Sequence, residues 1–178
     1  MQKDLRQQLS VMIPRLRRFA RGLAQASPQD ADDLVQAACE RALSRLHQFH
    51  EGSRFDSWVF RILQSIWFNE RARIRESYFD PAGMEVHDDM AVRRMDASLT
   101  LSDVQRSFEG LPEEQRVVML LVCLEGYTYA ETSEIMGVPI GTVMSRLSRG
   151  RLALAAQLGA PKLFSQSNIV PISRQEND

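Results

Sequence analysis

Apolar residues recur along this chain at intervals of three and four, and no segment alternates apolar with polar residues over the length that a half-buried strand needs. The pattern predicts an all-α protein. Leu5, Leu9, Met12, Leu16, Phe19 and Leu23 trace one stripe along a first helix that ends near Gly22. The stretch SPQDADDLVQAACERALSRL opens a second helix, with Ser27 as cap, Pro28 at the first helical position and acids in the first turn, where they complement the helix dipole. A third helix runs from about Asp56 to about Glu76. Within it Trp58, Ile62 and Ile66 are spaced by four, which places Trp58 in the core, while Phe60 and Trp67 fall on another face. Periodicity then stops in YFDPAGMEVHDDM, where Pro81, Gly83 and clustered acids mark a linker. Helices resume around Arg93, and LPEEQRVVMLLVCLEGYTYAETSEIMG predicts an apolar helix from Pro112 to Leu124, a break at Gly126 and a short helix to Met136. The expected organisation is two small helical domains, over 1–78 and 97–160, joined by a flexible acidic linker over 79–96. A tail over 161–178 has no amphipathic pattern and is expected to be disordered.

The most informative stretch is ETSEIMGVPIGTVMSRLSRGR, residues 131 to 151. Gly137 stops one helix, Val138 fills a corner, and Pro139 suits the first turn of the next helix because its missing N–H costs nothing there. The result is a helix-turn-helix. At about 100° per residue, Ile140, Val143, Leu147, Gly150 and Leu154 face inward, while Thr142, Ser145, Arg146 and Arg149 lie on the exposed side. From Pro139 to Leu154 the helix carries three arginines and no acid. Small hydroxyls near its start and guanidinium groups further along are what a helix needs to enter a major groove, for base edges and for phosphates.

Charge sharpens this picture. The formal net charge of -1 conceals 13 Lys and Arg against 9 Asp and Glu from Met1 to Tyr78, and 3 against 7 from Phe79 to Gly110. A near-neutral total is therefore compatible with nucleic acid, because binding depends on the local field. No apolar run approaches the ~20 residues that span a bilayer, MQKDLRQQLS has no signal-peptide core, and two cysteines are too few for a disulfide framework, so a reducing cytoplasm is expected and no membrane insertion. Cys39, His47 and His50 would share a face only on one continuous helix, which Gly52 and the turn before it break, and zinc ligands are normally more densely spaced. Cys123, inside VVMLLVCLEG, reads as a small buried apolar residue. No phosphate-binding loop, dinucleotide fingerprint, HExxH or nucleophile elbow is present, so no catalysis, metal or cofactor is expected.

With those residues in view, LPEEQRVVMLLVCLEGYTYAETSEIMGVPIGTVMSRLSRGRLAL resembles region 4 of bacterial RNA polymerase sigma factors of the extracytoplasmic-function (ECF) group of the sigma-70 family. DADDLVQAACERAL and FDSWVFRI resemble parts of their region 2, and the likeness runs from about Leu16 to about Leu158 apart from the acidic linker. The resemblance implies a promoter-selecting subunit whose two domains each read one promoter element while both grip core polymerase, through the β′ clamp coiled coil and the β flap. By position, Met144, Ser145, Ser148 and Arg149 match residues that approach bases of the upstream (minus-thirty-five) element, with Thr142, Arg146 and Arg151 positioned for its backbone. Met144 stands where the family commonly has Lys or Arg, so one base or phosphate contact of the family pattern is missing.

In region 2 the resemblance assigns Asp30, Asp32, Asp33, Leu34, Val35 and Gln36 to the segment that docks on the β′ coiled coil; acids at a helix start also suit the dipole with no partner. It places a base-capture loop at about His50 to Ser57, through Gly52 and Ser53, with Phe49 and Phe55 at its edges, reading the downstream (minus-ten) element on the non-template strand. Aromatic stacking on unpaired bases contributes about 1–3 kcal/mol per base. Ser65 and Asn69 stand where the family often has Asn and Asp, and Arg61, Arg71, Arg73 and Arg75 extend a basic stripe toward the DNA backbone. The group usually pairs with an anti-sigma factor. Two other readings stay open: a helix-turn-helix repressor or activator acting without core polymerase, and a sigma-like mimic that sequesters an anti-sigma factor.

Overall fold

The computed structural model describes residues 2–24, 27–50, 52–77 and 100–159, and the described residues are helical without a strand. The expected linker over 79–96, the tail over 161–178 and the start near Arg93 lie outside them. Three long helices come first: α1 (Gln2–Leu23), α2 (Pro28–Ser44) and α3 (Phe55–Ser77), with a short 3-10 turn at Leu46–Gln48 between the last two. The Ser27 hydroxyl accepts from the Asp30 N–H at 3.2 Å and Pro28 opens α2, so the chain enters this helix with its first free donors satisfied. Leu16, Phe19, Leu23, Ala38, Ala42, Val59, Phe60 and Leu63 are sealed from solvent between the three helices. Burying one of the Val, Leu or Phe side chains contributes roughly 1.5–3 kcal/mol. The small residues of α2 let α1 and α3 close on it, and Phe19 meets Phe60 edge-on with ring centroids 5.0 Å apart.

The second group comprises α4 (Leu101–Glu109), α5 (Glu113–Met119), α6 (Tyr129–Met136) and α7 (Ile140–Gln157). α4 and α6 each begin in a reciprocal capping box, Thr100 with Asp103 and Thr128 with Glu131. The helix expected from Pro112 to Leu124 keeps that extent, but its second half, Leu120–Leu124, widens into π-helical turns. Gly137 adopts φ 65°, the left-handed conformation that ends α6, and the Ser133 hydroxyl donates to the Val138 carbonyl at 2.5 Å to pin the corner. Val143, Leu147 and Leu154 pack with Leu111, Val118, Met119 and Leu158. A Cβ placed on Gly150 would lie 2.8 Å from Met119 Sδ, so α5 and α7 cross at a point only glycine fits without a shift.

Three placements differ from the sequence pattern. Ile140 is 46% exposed: as the first residue of α7 it lies one turn short of Val143, where burial begins. Cys123 is exposed, because the π-helical turns rotate it outward beside Arg151, whose guanidinium lies 3.8 Å from its sulfur. Phe60 and Trp67 are buried, whereas Trp58 is only half-buried against Phe49 and Phe55. The cause of the last difference is that the second group of helices covers part of α3. The larger apolar cluster runs without a break from α1–α3 into Val117, Leu120, Leu121, Tyr127 and Ile135. A Cβ on Gly22 would come within 2.7 Å of Leu120, so α1 and the π segment also meet closely.

The Gly150 crossing is checked by Gly150→Val, which is expected to lower the free energy of urea unfolding by about 1–3 kcal/mol through overpacking against Met119. An unchanged midpoint would contradict the close approach of α5 and α7.

Candidate nucleic-acid interface

α7 presents its outer face to solvent. Met144, Ser145, Ser148 and Arg149 are exposed, and Thr142, Arg146 and Arg151 are half-buried on its flanks. Two of these side chains are held by the helix itself: the Ser145 hydroxyl donates to the Thr142 carbonyl at 3.0 Å and Arg149 Nε to the Ser145 carbonyl at 3.2 Å. Both side chains are otherwise exposed. Arg151 is different, since it turns toward Cys123. The α7 start carries no side-chain cap, and within its first turn the Thr142 N–H donates to the Pro139 carbonyl at 2.9 Å.

The predicted downstream-reading residues divide into two sets. His50, Gly52 and Ser53 sit exposed in a turn, with Gly52 at φ 94° and the Ser53 hydroxyl donating to the His50 carbonyl at 2.7 Å. Phe49 is half-buried and Phe55 buried; with Trp58 they form an aromatic trio with centroids 5.3–5.7 Å apart. The rings at the loop edges therefore brace the turn from inside, and the exposed groups are polar. Ser65 is half-buried and donates to the Ile62 carbonyl at 2.8 Å. Arg73 is exposed, but Arg71 stacks on the Trp67 ring at 4.6 Å and pairs with Glu113 of α5 at 3.0 Å. Arg61 donates to the Glu134 carbonyl at the end of α6.

On α2, Asp30, Asp32, Asp33 and Gln36 are exposed. Asp32 pairs with Arg17 at 3.2 Å and Gln36 donates to Glu40 at 3.0 Å. Leu34 and Val35, assigned to the same docking segment, point the other way and are 2% and 5% exposed in the core. One face of a helix cannot both fill the core and meet a partner, so only the polar four are accessible. Cys39, His47 and His50 do not share a helix, since α2 ends at Ser44, and no cluster of three or more His, Cys, Asp or Glu suited to a metal occurs among the described residues.

Sequence reasoning missed the contact between the two groups of helices. The Glu125 side chain, at the end of the π segment, is fully buried and accepts from Arg15 Nε at 2.9 Å and Arg18 Nη2 at 2.7 Å, both on α1. Tyr127 is buried edge-on to Phe60 at 5.6 Å, under the Arg54 guanidinium at 5.3 Å. Arg54 also pairs with Glu131 and, at 2.9 Å, with Asp56. Gln64 Nε2 donates to the Ile135 carbonyl at 2.5 Å. Cations on α1 and α3 thus meet carboxylates and carbonyls of the second group, and the basic surplus over residues 1–78 was the one trace of this in the sequence. Burial raises the Asp56 pKa, but the Arg54 hydrogen bond and charge, with the Tyr127 hydroxyl and Ser57 N–H, outweigh it and hold the carboxyl at about 2. Tyr127 is pushed well above the ordinary tyrosine range by burial and by the Asp56 charge.

With this geometry established, comparison with known proteins is specific. Residues 101–154 match the family described as Sigma-70, region 4, and residues 9–64 match the Sigma2 domain of PhyR. The chain is 31% identical over 155 residues to the ECF RNA polymerase sigma factor EcfG of Rhodopseudomonas palustris, covering 87% of this chain and 85% of that protein. It is 34% identical over 145 residues to the ECF RNA polymerase sigma factor SigM of Mycobacterium tuberculosis, covering 81% of this chain and 71% of the relative. Among solved structures it is similar to the sigma factor RpoE in complex with the anti-sigma factor NepR from Bartonella quintana, with a TM-score of 0.73, 30% identity, and coverage of 88% of this chain and 98% of that one.

Two measurements check the contact. Asp56 contributes stability that is complete above its unfolded pKa of about 3.9 and lost as pH falls toward 2, so Asp56→Asn is expected to lower stability at pH 7 and to flatten the acid branch of the stability–pH curve between about pH 4 and 2. Arg15→Ala leaves the Glu125 carboxylate short of a partner and is expected to cost on the order of 3 kcal/mol, much of it recovered in the double variant with Glu125→Gln. Strict additivity in that cycle would mean that Arg15 and Glu125 do not interact.

Proposed function

Because the chain belongs to the extracytoplasmic-function group of RNA polymerase sigma factors, we propose that it binds core polymerase and directs promoter-specific initiation by presenting the outer face of α7 to the upstream element. The observation that carries this reading is the exposed row of Ser145, Ser148 and Arg149 on a helix without acids, set by the Gly137 corner. Seryl hydroxyls suit base edges and Arg149 suits guanine or phosphate, while Arg146 and Thr142 on the flank position the backbone. Asp30, Asp32, Asp33 and Gln36 form the accessible polar edge of α2 for the β′ coiled coil, and the second group of helices meets the β flap. The polymerase supplies the chemistry, and the protein works in the cytoplasm; among the described residues no helix is long and apolar enough to cross a membrane.

Downstream reading uses the turn at His50, Gly52 and Ser53 and the arginines of α3. Arg61 and Gln64 are engaged by the carboxyl end of α6, and Arg71 by Glu113, so these groups become available to DNA only when α6 and α5 move off α3. A duplex competes with the Glu113 carboxylate for Arg71 and with the Glu134 carbonyl for Arg61, and each phosphate neutralised adds roughly 0.9 to the salt slope. An anti-sigma factor that favours the closed arrangement would hold the protein inactive; the complex of the similar RpoE with NepR supports that control. The match of residues 9–64 to the PhyR domain favours a second reading, a mimic that captures an anti-sigma factor without initiating transcription.

In vitro transcription with purified core polymerase and a promoter library separates the two. The sigma reading expects promoter-dependent transcripts, and their absence across the library leaves the mimic. Arg149→Ala is expected to lower discrimination at one upstream position by about 1–3 kcal/mol. An equal loss on all sequences reassigns Arg149 to phosphate.

A further inference from the structure

α7 also carries an apolar feature that hydroxyls and guanidinium groups do not explain. Ile140 and Met144, one turn apart, are 46% and 52% exposed. Isolated apolar side chains on a surface need no account. These two are neighbours at i and i+4 on the amino-terminal half of the helix, adjoining Ser145 and Ser148, which is the part of a recognition helix that reaches base edges.

Gly141 stands between them. Its φ is not positive, and a Cβ placed on it would meet no atom within 4 Å beyond its chain neighbours and the backbone of its own helix, so neither backbone conformation nor packing inside the fold calls for glycine. Glycine weakens a helix relative to alanine. A position where the fold gains nothing from glycine, on the outer face of a helix without acids, fits the close approach of an external surface.

In the major groove the one apolar group on any base edge is the thymine C5-methyl. Resting on the proposed sigma reading, we infer that Ile140 and Met144 are specificity-determining residues that pack on thymine methyl groups of the upstream element, with Gly141 admitting the duplex to the first turn of α7. Lys or Arg at position 144 would direct recognition to phosphate or guanine. Methionine directs it to thymine and lowers the salt dependence contributed by that position. Ser145 and Arg149 supply the hydrogen bonds beside it.

The test uses holoenzyme assembled from core polymerase and the full chain. A library randomised over the upstream element yields the preferred promoter, and each of its thymines is then replaced by deoxyuridine, which keeps every hydrogen-bonding group and removes only the methyl. For the unaltered protein, uracil at one or two positions is expected to weaken holoenzyme–promoter binding about fourfold, the effect of one buried methyl group. Met144→Ala or Ile140→Ala is expected to bind thymine and uracil promoters alike at those positions, with an unchanged unfolding midpoint because both side chains are exposed. Gly141→Ala is expected to weaken promoter binding while leaving the unfolding midpoint equal or higher. Three results overturn the inference alone: a selected element without thymine on either strand, initiation with no uracil penalty, or a penalty that persists in both alanine variants. No initiation from any library member overturns the sigma reading and this inference with it.

Discussion

The buried carboxylate of Glu125 constrains the rest of the structure. A charge taken out of water costs several kcal/mol unless its partners stay in place, and here the partners are Arg15 and Arg18, on a helix more than 100 residues away in sequence. Satisfying that one group ties the end of the π segment to α1. The residues that follow it are then placed without further choice: Tyr127 falls against Phe60 and Arg54, Glu131 meets Arg54, and the carboxyl end of α6 reaches Gln64 and Arg61 on α3. Apolar burial of Leu120, Leu121 and Ile135 supplies most of the contact energy, but it is non-directional, and the ion pairs set the alignment.

That alignment treats the outer face of α7 and the arginines of α3 unequally. The outer face of α7 remains open in the closed arrangement, while arginines of α3 are spent on α5 and α6. Contacts between opposite charges, such as Arg71 with Glu113, are also the contacts that salt weakens. The apolar part of the interface is not weakened in that way, since parting the helices exposes Tyr127, Ile135 and Phe60 to water.

Much of this was legible in the chain. Ser27 and Pro28 begin α2 because side-chain oxygen and a missing N–H satisfy local needs, and Gly137 ends α6 because only glycine enters the left-handed region freely. Val143, Leu147, Gly150 and Leu154 face inward because a 3.6-residue period leaves them on one row. Periodicity failed where a helix end or a change of helix type intervened: Ile140 precedes the buried turns, and the π segment rotates Cys123 outward. It also reported which face is apolar without saying what covers it. Leu34 and Val35 belong to the core, and Phe60 and Trp67 are buried partly because a second set of helices lies on α3.

The sequence by itself determined the helical class, the helix-turn-helix corner and the outward placing of Ser145 and Arg149, though not the half-burial of Thr142 and Arg146 on the same helix, because capping, left-handed glycine and helical period act over a few neighbouring residues. Only the tertiary structure decided that Glu125 is buried between Arg15 and Arg18, that Arg61 and Arg71 are engaged by α6 and α5, and that the aromatic rings around the Gly52 turn brace it from within. Those outcomes depend on which surfaces of distant segments meet, and burial and charge pairing across such a contact leave no periodic mark along the chain.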